Sequence, residues 1–251
     1  MKKWIFLLFA LFSGSVVWAQ TQAIAHRGYW KTDGSAQNSL AALEKAHALN
    51  IYGSEFDVWL TADGIPVVFH DAKVRELVVE EVTYQQLMDT TLVNGEKIST
   101  LEQYLEAGKQ LKDIRLVLEI KSHKRVVNED RVVAKVVEMV NRFQLEDRVD
   151  YIAFSMNVCK ELKKRVPNGT IVYLNGDVSP QDLKEIGLSG FDYHHKVLTD
   201  HPDWIQQAKS LGLSTNVWTV NDPEQMKWFI EKEVDFITTD NPIALIELLG
   251  E

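Results

Sequence analysis

The sequence predicts an α/β fold, a single closed (β/α)8 barrel. Three observations lead there. Eight short β-rich runs, near residues 24, 56, 117, 152, 172, 191, 217 and 236, each precede a helical pattern. No Pro/Gly-rich linker divides the chain. No glycine-rich dinucleotide turn follows the first run, which counts against an open, doubly wound sheet.

Ala23-Ile24-Ala25 opens as a buried strand. Leu40, Leu43 and Ala46 recur at three-residue steps and predict a helix over 38–49, with Asn38 or Ser39 as its cap. Ser54 to Val58 alternates polar and apolar, so Glu55 and Asp57 share one face of the second strand. Asp63-Gly64 signals a hairpin turn, and Ile65 to Phe69 returns as an extended run ending at His70. The stretch 73–95 is less regular, with a short helix over 84–88.

Residues 101–111 form a clearer helix behind Ser99-Thr100 as possible caps. Arg115 to Ile120 is a strand with Glu119 near its end, and 131–143 is a helix. Strands at 151–154, 170–174 and 190–193 alternate with helices at 158–165, 181–186 and 204–211. The strand over 214–220 contains Trp218 and leads to a helix opened by Pro223. Val234 to Thr238 is the last strand, and Pro242 starts the closing helix.

The first 19 residues read as a secretory signal. Lys2 and Lys3 precede the apolar run Trp4 to Phe12, and Val17-Trp18-Ala19 places small residues where a signal peptidase reads them. The run is short for a bilayer span, though an uncleaved anchor is the alternative. The expected product is one barrel domain, 20–251, exported to a periplasmic or extracellular location. No Cys follows the small residues, so a lipid anchor on a new terminal Cys is not available. No later apolar run reaches membrane-spanning length. The only cysteine, Cys159, allows no internal disulfide and reads as a buried small residue.

The chain has 27 basic and 36 acidic residues, and loss of Lys2 and Lys3 takes its net charge from −9 to −11. Such a protein is a poor general binder of nucleic acid or anionic membrane. A phosphate-bearing ligand would need local positive charge.

In such barrels chemistry sits at the C-terminal ends of the strands. His26-Arg27, Glu55 and Asp57, His70-Asp71, Glu119 with Lys121, Trp218, and Thr239-Asp240 all fall there. Singly, each has an ordinary structural explanation. Together they cannot all be wet faces, because the strands of a (β/α)8 barrel have no solvated side. Glu55, Asp57 and Glu119 offer oxygen ligands without Cys, which suits one hard divalent cation, Mg²⁺ or Ca²⁺, rather than Zn²⁺. His26 and His70 could serve as base and acid near neutral pH. Arg27 and Lys121 could hold phosphate oxygens. Paired carboxylates also serve glycosidases, but those have less need of the four basic side chains.

At these residues the chain resembles the glycerophosphodiester phosphodiesterase family. The likeness runs from His26-Arg27-Gly28 and Asn38 through Glu55-x-Asp57 and Thr61-x-Asp63-Gly64-x-Pro66-Val67-Val68-x-His70-Asp71. It continues through Leu118-Glu119-Ile120-Lys121, Val217-Trp218-Thr219-Val220-Asn221 and Thr239-Asp240-Asn241-Pro242. The resemblance implies a TIM barrel with a short insertion after the second strand. It implies a catalytic pair His26 and His70, metal ligands Glu55, Asp57 and Glu119, and a small-molecule phosphodiester substrate. Arg27 and Lys121 would then bind the phosphate, with Phe154 and Trp218 lining the site. The implied activity is hydrolysis of glycerophosphodiesters to glycerol 3-phosphate and an alcohol. A lipid phosphodiesterase on the same site and a non-catalytic binding barrel are the alternatives. Two features depart from the pattern: Ala36-Gln37 stands where the family usually has Pro-Glu, and the insertion over 72–98 is short and acidic. His194 and His195 follow the sixth barrel strand, and along an extended chain at most one would reach the mouth.

Overall fold

The structure, a computed structural model, describes residues 20–250, so the expected signal segment lies outside the described residues. In chain order the elements of the first half are β1 (Gln22–Ala25), α1 (Leu40–Ala48), β2 (Gly53–Leu60), β3 (Pro66–Val68), β4 (Lys73–Val74), β5 (Leu77–Val78), α2 (Tyr84–Leu87), α3 (Leu101–Gln110), β6 (Arg115–Ile120) and α4 (Val126–Phe143). The second half holds β7 (Val149–Ala153), α5 (Met156–Arg165), β8 (Thr170–Tyr173), α6 (Pro180–Ile186), β9 (Gly190–His194), α7 (His195–Asp200), α8 (Trp204–Ser210), β10 (Ser214–Trp218), α9 (Pro223–Glu231), β11 (Phe236–Thr239) and α10 (Pro242–Leu249).

Eight parallel strands, β1, β2 and β6 to β11, lie side by side in chain order. β1 pairs with both β2 and β11, which closes the sheet into the expected barrel. Alternation along each strand sorts the side chains. Ile24, Val117, Ile152, Val172 and Leu174 fill the inside. Phe56, Leu116, Leu118, Tyr151 and Ile171 belong to the larger outer core, together with residues of the helices. Burial on both faces explains why these strands read as continuous apolar runs.

The insertion follows from an early exit of β1. That strand pairs with β2 only at Ile24–Gly53 and Ala25–Ser54. The chain then turns away through Arg27 and Gly28, both with positive φ (57° and 75°). Gly28 is required there, because a Cβ would lie 2.6 Å from the Ala42 Cβ. The far edge of β2 is thereby left open, and β3 takes it in antiparallel register, Val58 opposite Val68. Beyond β3, Trp59, Val67, Val74, Val79, Leu87 and Ile98 make a separate small core under the insertion.

Two helices differ from expectation. α4 begins at Val126, five residues before the predicted start. Val126 and Val127 are exposed, so the first turn breaks the apolar period that marks the rest. The helix α7 was not expected. It has six residues, of which only Leu198 is buried, too few to carry a period. α1 begins at Leu40, and of the two candidate caps it is Ser39 whose side chain accepts from Ala42 N. Cys159 is buried, as expected. Among the described residues no helix is long and apolar enough to cross a membrane.

Candidate active site

The two-residue step on β2 places Glu55 and Asp57 on one side, and register sets Asp57 beside Glu119 of β6. Ligand atoms of the three carboxylates lie within 4.8 Å of one another, and all three residues are buried. Each is held by a different group. Glu55 Oε2 accepts from the Arg27 backbone N–H at 2.7 Å. Asp57 Oδ2 accepts from Asn38 Nδ2 at 2.8 Å, and the Asp57 N–H donates to Asn38 Oδ1 at 3.0 Å. Lys121 Nζ lies 3.1 Å from Asp57 Oδ1 and 2.8 Å from Glu119 Oε1.

One ammonium cannot balance three buried carboxylates. Burial, with Asp57 and Glu119 nearby, pushes the Glu55 carboxyl well above the usual range. Burial and Asp57 push Glu119 up to about 7, against the pull of Lys121. Burial acts on Asp57 too, yet Lys121, His70, Asn38 and Arg27 together hold it below its ordinary value. Glu55 Oε1 is buried without a hydrogen-bond partner. An orphaned oxygen in a crowded all-oxygen set fits a hard cation, which would satisfy that atom and relieve the repulsion.

The two histidines are each fixed through Nδ1. His26 Nδ1 is 2.8 Å from Asp240 Oδ1. Asp240 also accepts from Trp30 Nε1 and Asn221 Nδ2 and pairs with Lys31. Burial would raise the Asp240 carboxyl, but His26, Asn221 and Lys31 hold it far below the usual range. His70 Nδ1 is 2.7 Å from Asp71 Oδ1, and the His70 carbonyl accepts from Trp59 Nε1 at 3.1 Å. Burial lowers the His70 imidazole, partly opposed by Asp57. A carboxylate partner assigns the proton to Nδ1 in both rings. Nε2 is left without a hydrogen bond among the described residues.

Both histidines line a 110 Å³ pocket at the barrel mouth with Arg27, Glu55, Glu119, Lys121, Phe154 and Trp218. Asp57 sits behind this lining. Phe154 and Trp218 meet edge to face at 5.5 Å. Arg27 Nη1 donates to Gln37 Oε1 at 2.6 Å, so the departure at Gln37 keeps an acceptor for the guanidinium and removes a charge. His194 packs against Trp218 at 5.0 Å and His195 lies 4.2 Å from His194, so the two rings cluster together at the rim.

Several residues had no assigned role at the site in the sequence reading. Asn38 was expected only as a possible helix cap, and Asp240 fell at the mouth without a role. Buried His123 accepts from Leu60 N at 3.1 Å through Nε2 and donates from Nδ1 to the Lys121 carbonyl at 2.8 Å. It ties the end of β2 to the loop bearing Lys121, and a lone histidine after a strand gives no signal of that. Asp192 of β9 also lines the pocket. A single acid in an apolar run was its only mark.

The sequence model of the Glycerophosphoryl diester phosphodiesterase family matches residues 26–244. The glycerophosphodiester phosphodiesterase of Caldanaerobacter subterraneus subsp. tengcongensis is 31% identical over 244 residues, covering 92% of this chain and 98% of that protein. The crystal structure of a glycerophosphodiester phosphodiesterase from Parabacteroides distasonis is 50% identical, with a TM-score of 0.91 over 92% of this chain and 98% of that one. A phosphodiesterase from Oleispira antarctica, solved with sn-glycerol-3-phosphate, shares the fold at 24% identity, with a TM-score of 0.79 over 92% of this chain and 98% of that one. Fold, motif order and near-complete coverage agree: the chain belongs to the glycerophosphoryl diester phosphodiesterase family and is a phosphoric diester hydrolase.

Proposed function

We propose that the protein hydrolyses small-molecule glycerophosphodiesters to glycerol 3-phosphate and an alcohol, with one divalent cation, Mg²⁺ or Ca²⁺, and an acid/base histidine pair. The observation that carries this reading is a cluster of three carboxylates within 4.8 Å, two of which line one pocket with both imidazoles.

Glu55, Asp57 and Glu119 would hold the cation. Bound there, it would neutralise charge on the phosphate and its transition state. Arg27 and Lys121 bind the non-bridging oxygens and add to that stabilisation. One histidine, through Nε2, removes the proton of the attacking oxygen: water gives glycerol 3-phosphate directly, and the glycerol arm's own hydroxyl gives a cyclic phosphate that water then opens. The other donates a proton to the leaving alkoxide. Asp240 and Asp71 hold the Nδ1 proton of each ring, so Nε2 accepts a proton in the base, while the acid is the doubly protonated ring and gives up its Nε2 proton. Phe154 and Trp218 form apolar walls that exclude water from the reacting phosphate.

The test is turnover of a panel of soluble glycerophosphodiesters, with EDTA and then Mg²⁺ or Ca²⁺ added back. Activity should vanish with EDTA, return with the ion, and be lost in His26→Ala and His70→Ala. Wild-type-like turnover in either variant would remove the pair from the mechanism. The N-terminal sequence further supports export, with cleavage after Ala19. An intact N-terminus on the purified native protein would overturn that.

A further inference from the structure

The pocket has an acidic group that the chemistry above does not use. Asp192 is 1% exposed, on the strand four places round the barrel from β2, opposite Glu55 and Asp57. Its Oδ1 is buried with no hydrogen-bond partner, and among the described residues no donor reaches its side chain. Backbone contacts fix its position: its carbonyl accepts from Trp218 Nε1 at 3.0 Å, and it stands in register with Asn216 of β10. The interior of an eight-stranded barrel is only as wide as the side chains that fill it. A small ligand whose phosphate lies at β2 therefore presents its far end to β9.

A buried acceptor of this kind costs stability unless something hydrogen-bonds to it. Its surroundings indicate what that is. Thr238 lines the same pocket and exchanges hydrogen bonds with Asn216 at 3.1 and 3.3 Å. The lining thus offers both a carboxyl group and a hydroxyl. At 110 Å³ the pocket has room for a three-carbon arm and little else.

We propose that Asp192 recognises the hydroxyl groups of the glycerol arm, holding that arm on the pocket floor while the alcohol arm points out of the mouth. This rests on the reading of function above. A quaternary ammonium fits the floor less well. Only Phe154 and Trp218 are aromatic, and Ile152, Leu174 and Thr238 complete the walls, so there is no aromatic cage. Burial and Glu119 also favour the neutral carboxyl, which has no charge for a cation but both a donor and an acceptor for hydroxyls.

Calorimetry with the cation-loaded protein tests the proposal through three ligands: sn-glycerol 3-phosphate, propyl phosphate and phosphocholine. Propyl phosphate has the three-carbon arm without its hydroxyls. Wild type should prefer glycerol 3-phosphate to propyl phosphate by roughly 10–100-fold. Asp192→Leu should bring the two together by weakening glycerol 3-phosphate alone. Its melting temperature should hold or rise, since an unpartnered buried carboxyl is gone. If the leucine variant does not fold, Asp192→Ala takes its place with the same expected loss of preference. Equal weakening of both ligands, or a retained preference, overturns the proposal. A selective loss of phosphocholine binding overturns it in favour of a cation subsite. Wild type that hydrolyses no glycerophosphodiester sinks the functional reading itself. Wild type that does so, with the preference kept in the variant, sinks only the role of Asp192.

Discussion

His26 Nδ1 and Asp240 Oδ1 lie 2.8 Å apart although 214 positions separate them in the chain. The residue that follows the last strand of the barrel therefore holds the imidazole that follows the first. If Asp240 sets the ring's tautomer, Asp240→Asn leaves the shape and removes the obligate acceptor. We expect kcat to fall roughly 100-fold or more, with KM little changed, in steady-state assays. A parallel fall in ligand affinity would instead mark Asp240 as part of the binding surface.

Cation binding should reverse a pH trend in stability. Glu119 has a folded pKa of about 7 against an ordinary value of 4.5. The folded state thus binds more protons in that window. Its stabilisation is complete below the ordinary value and is lost as pH rises through 7. In EDTA the melting temperature should drop by this contribution between those values. A divalent cation held by the three carboxylates would bind their ionised forms, so its stabilising effect should grow over the same range. Calorimetric scans giving one pH profile with and without the ion would contradict the metal assignment.

Asn38 clamps Asp57 through two hydrogen bonds from a left-handed backbone, φ 61°. Asn38→Ala loses both bonds and adds strain, and should cost about 3 kcal/mol. Asn38→Gly keeps the conformation without strain and should cost measurably less. Urea unfolding midpoints of the two variants separate the clamp from the backbone.

At Gly28 the constraint is space. A Cβ would lie within 2.9 Å of the Ala42 backbone as well as its side chain, at φ 75°. Gly28→Ala should destabilise by about 3 kcal/mol or more, measured by thermal unfolding. A near-neutral variant would mean that α1 can move away from the turn.

Much of this molecule was legible in its sequence, for a physical reason. Strands buried on both faces stand out as apolar runs, so an acid such as Glu119 at the end of one is conspicuous. The same logic found Glu55, Asp57, His26 and His70 at the mouth. Partners were harder to read. Asn38 meets Asp57, and Asp240 meets His26, only because β1 sits between β2 and β11. Nothing local announces those pairs. Asp192 differs again: its meaning lies in having no partner, which only packing reveals. The start of α4 was hidden by valines facing solvent, and α7 by its brevity.

The place that β1 gives up on β2 has a consequence for how such an enzyme can diversify. His70 stands just past a strand hydrogen-bonded to β2, and the Phe69 N–H donates to the Asp57 carbonyl at 3.0 Å. The candidate site is therefore anchored before the chain enters the segment 72–98, which packs its apolar side chains on Trp59 and Val67. A change in that segment would therefore leave the position of the imidazole to the frame.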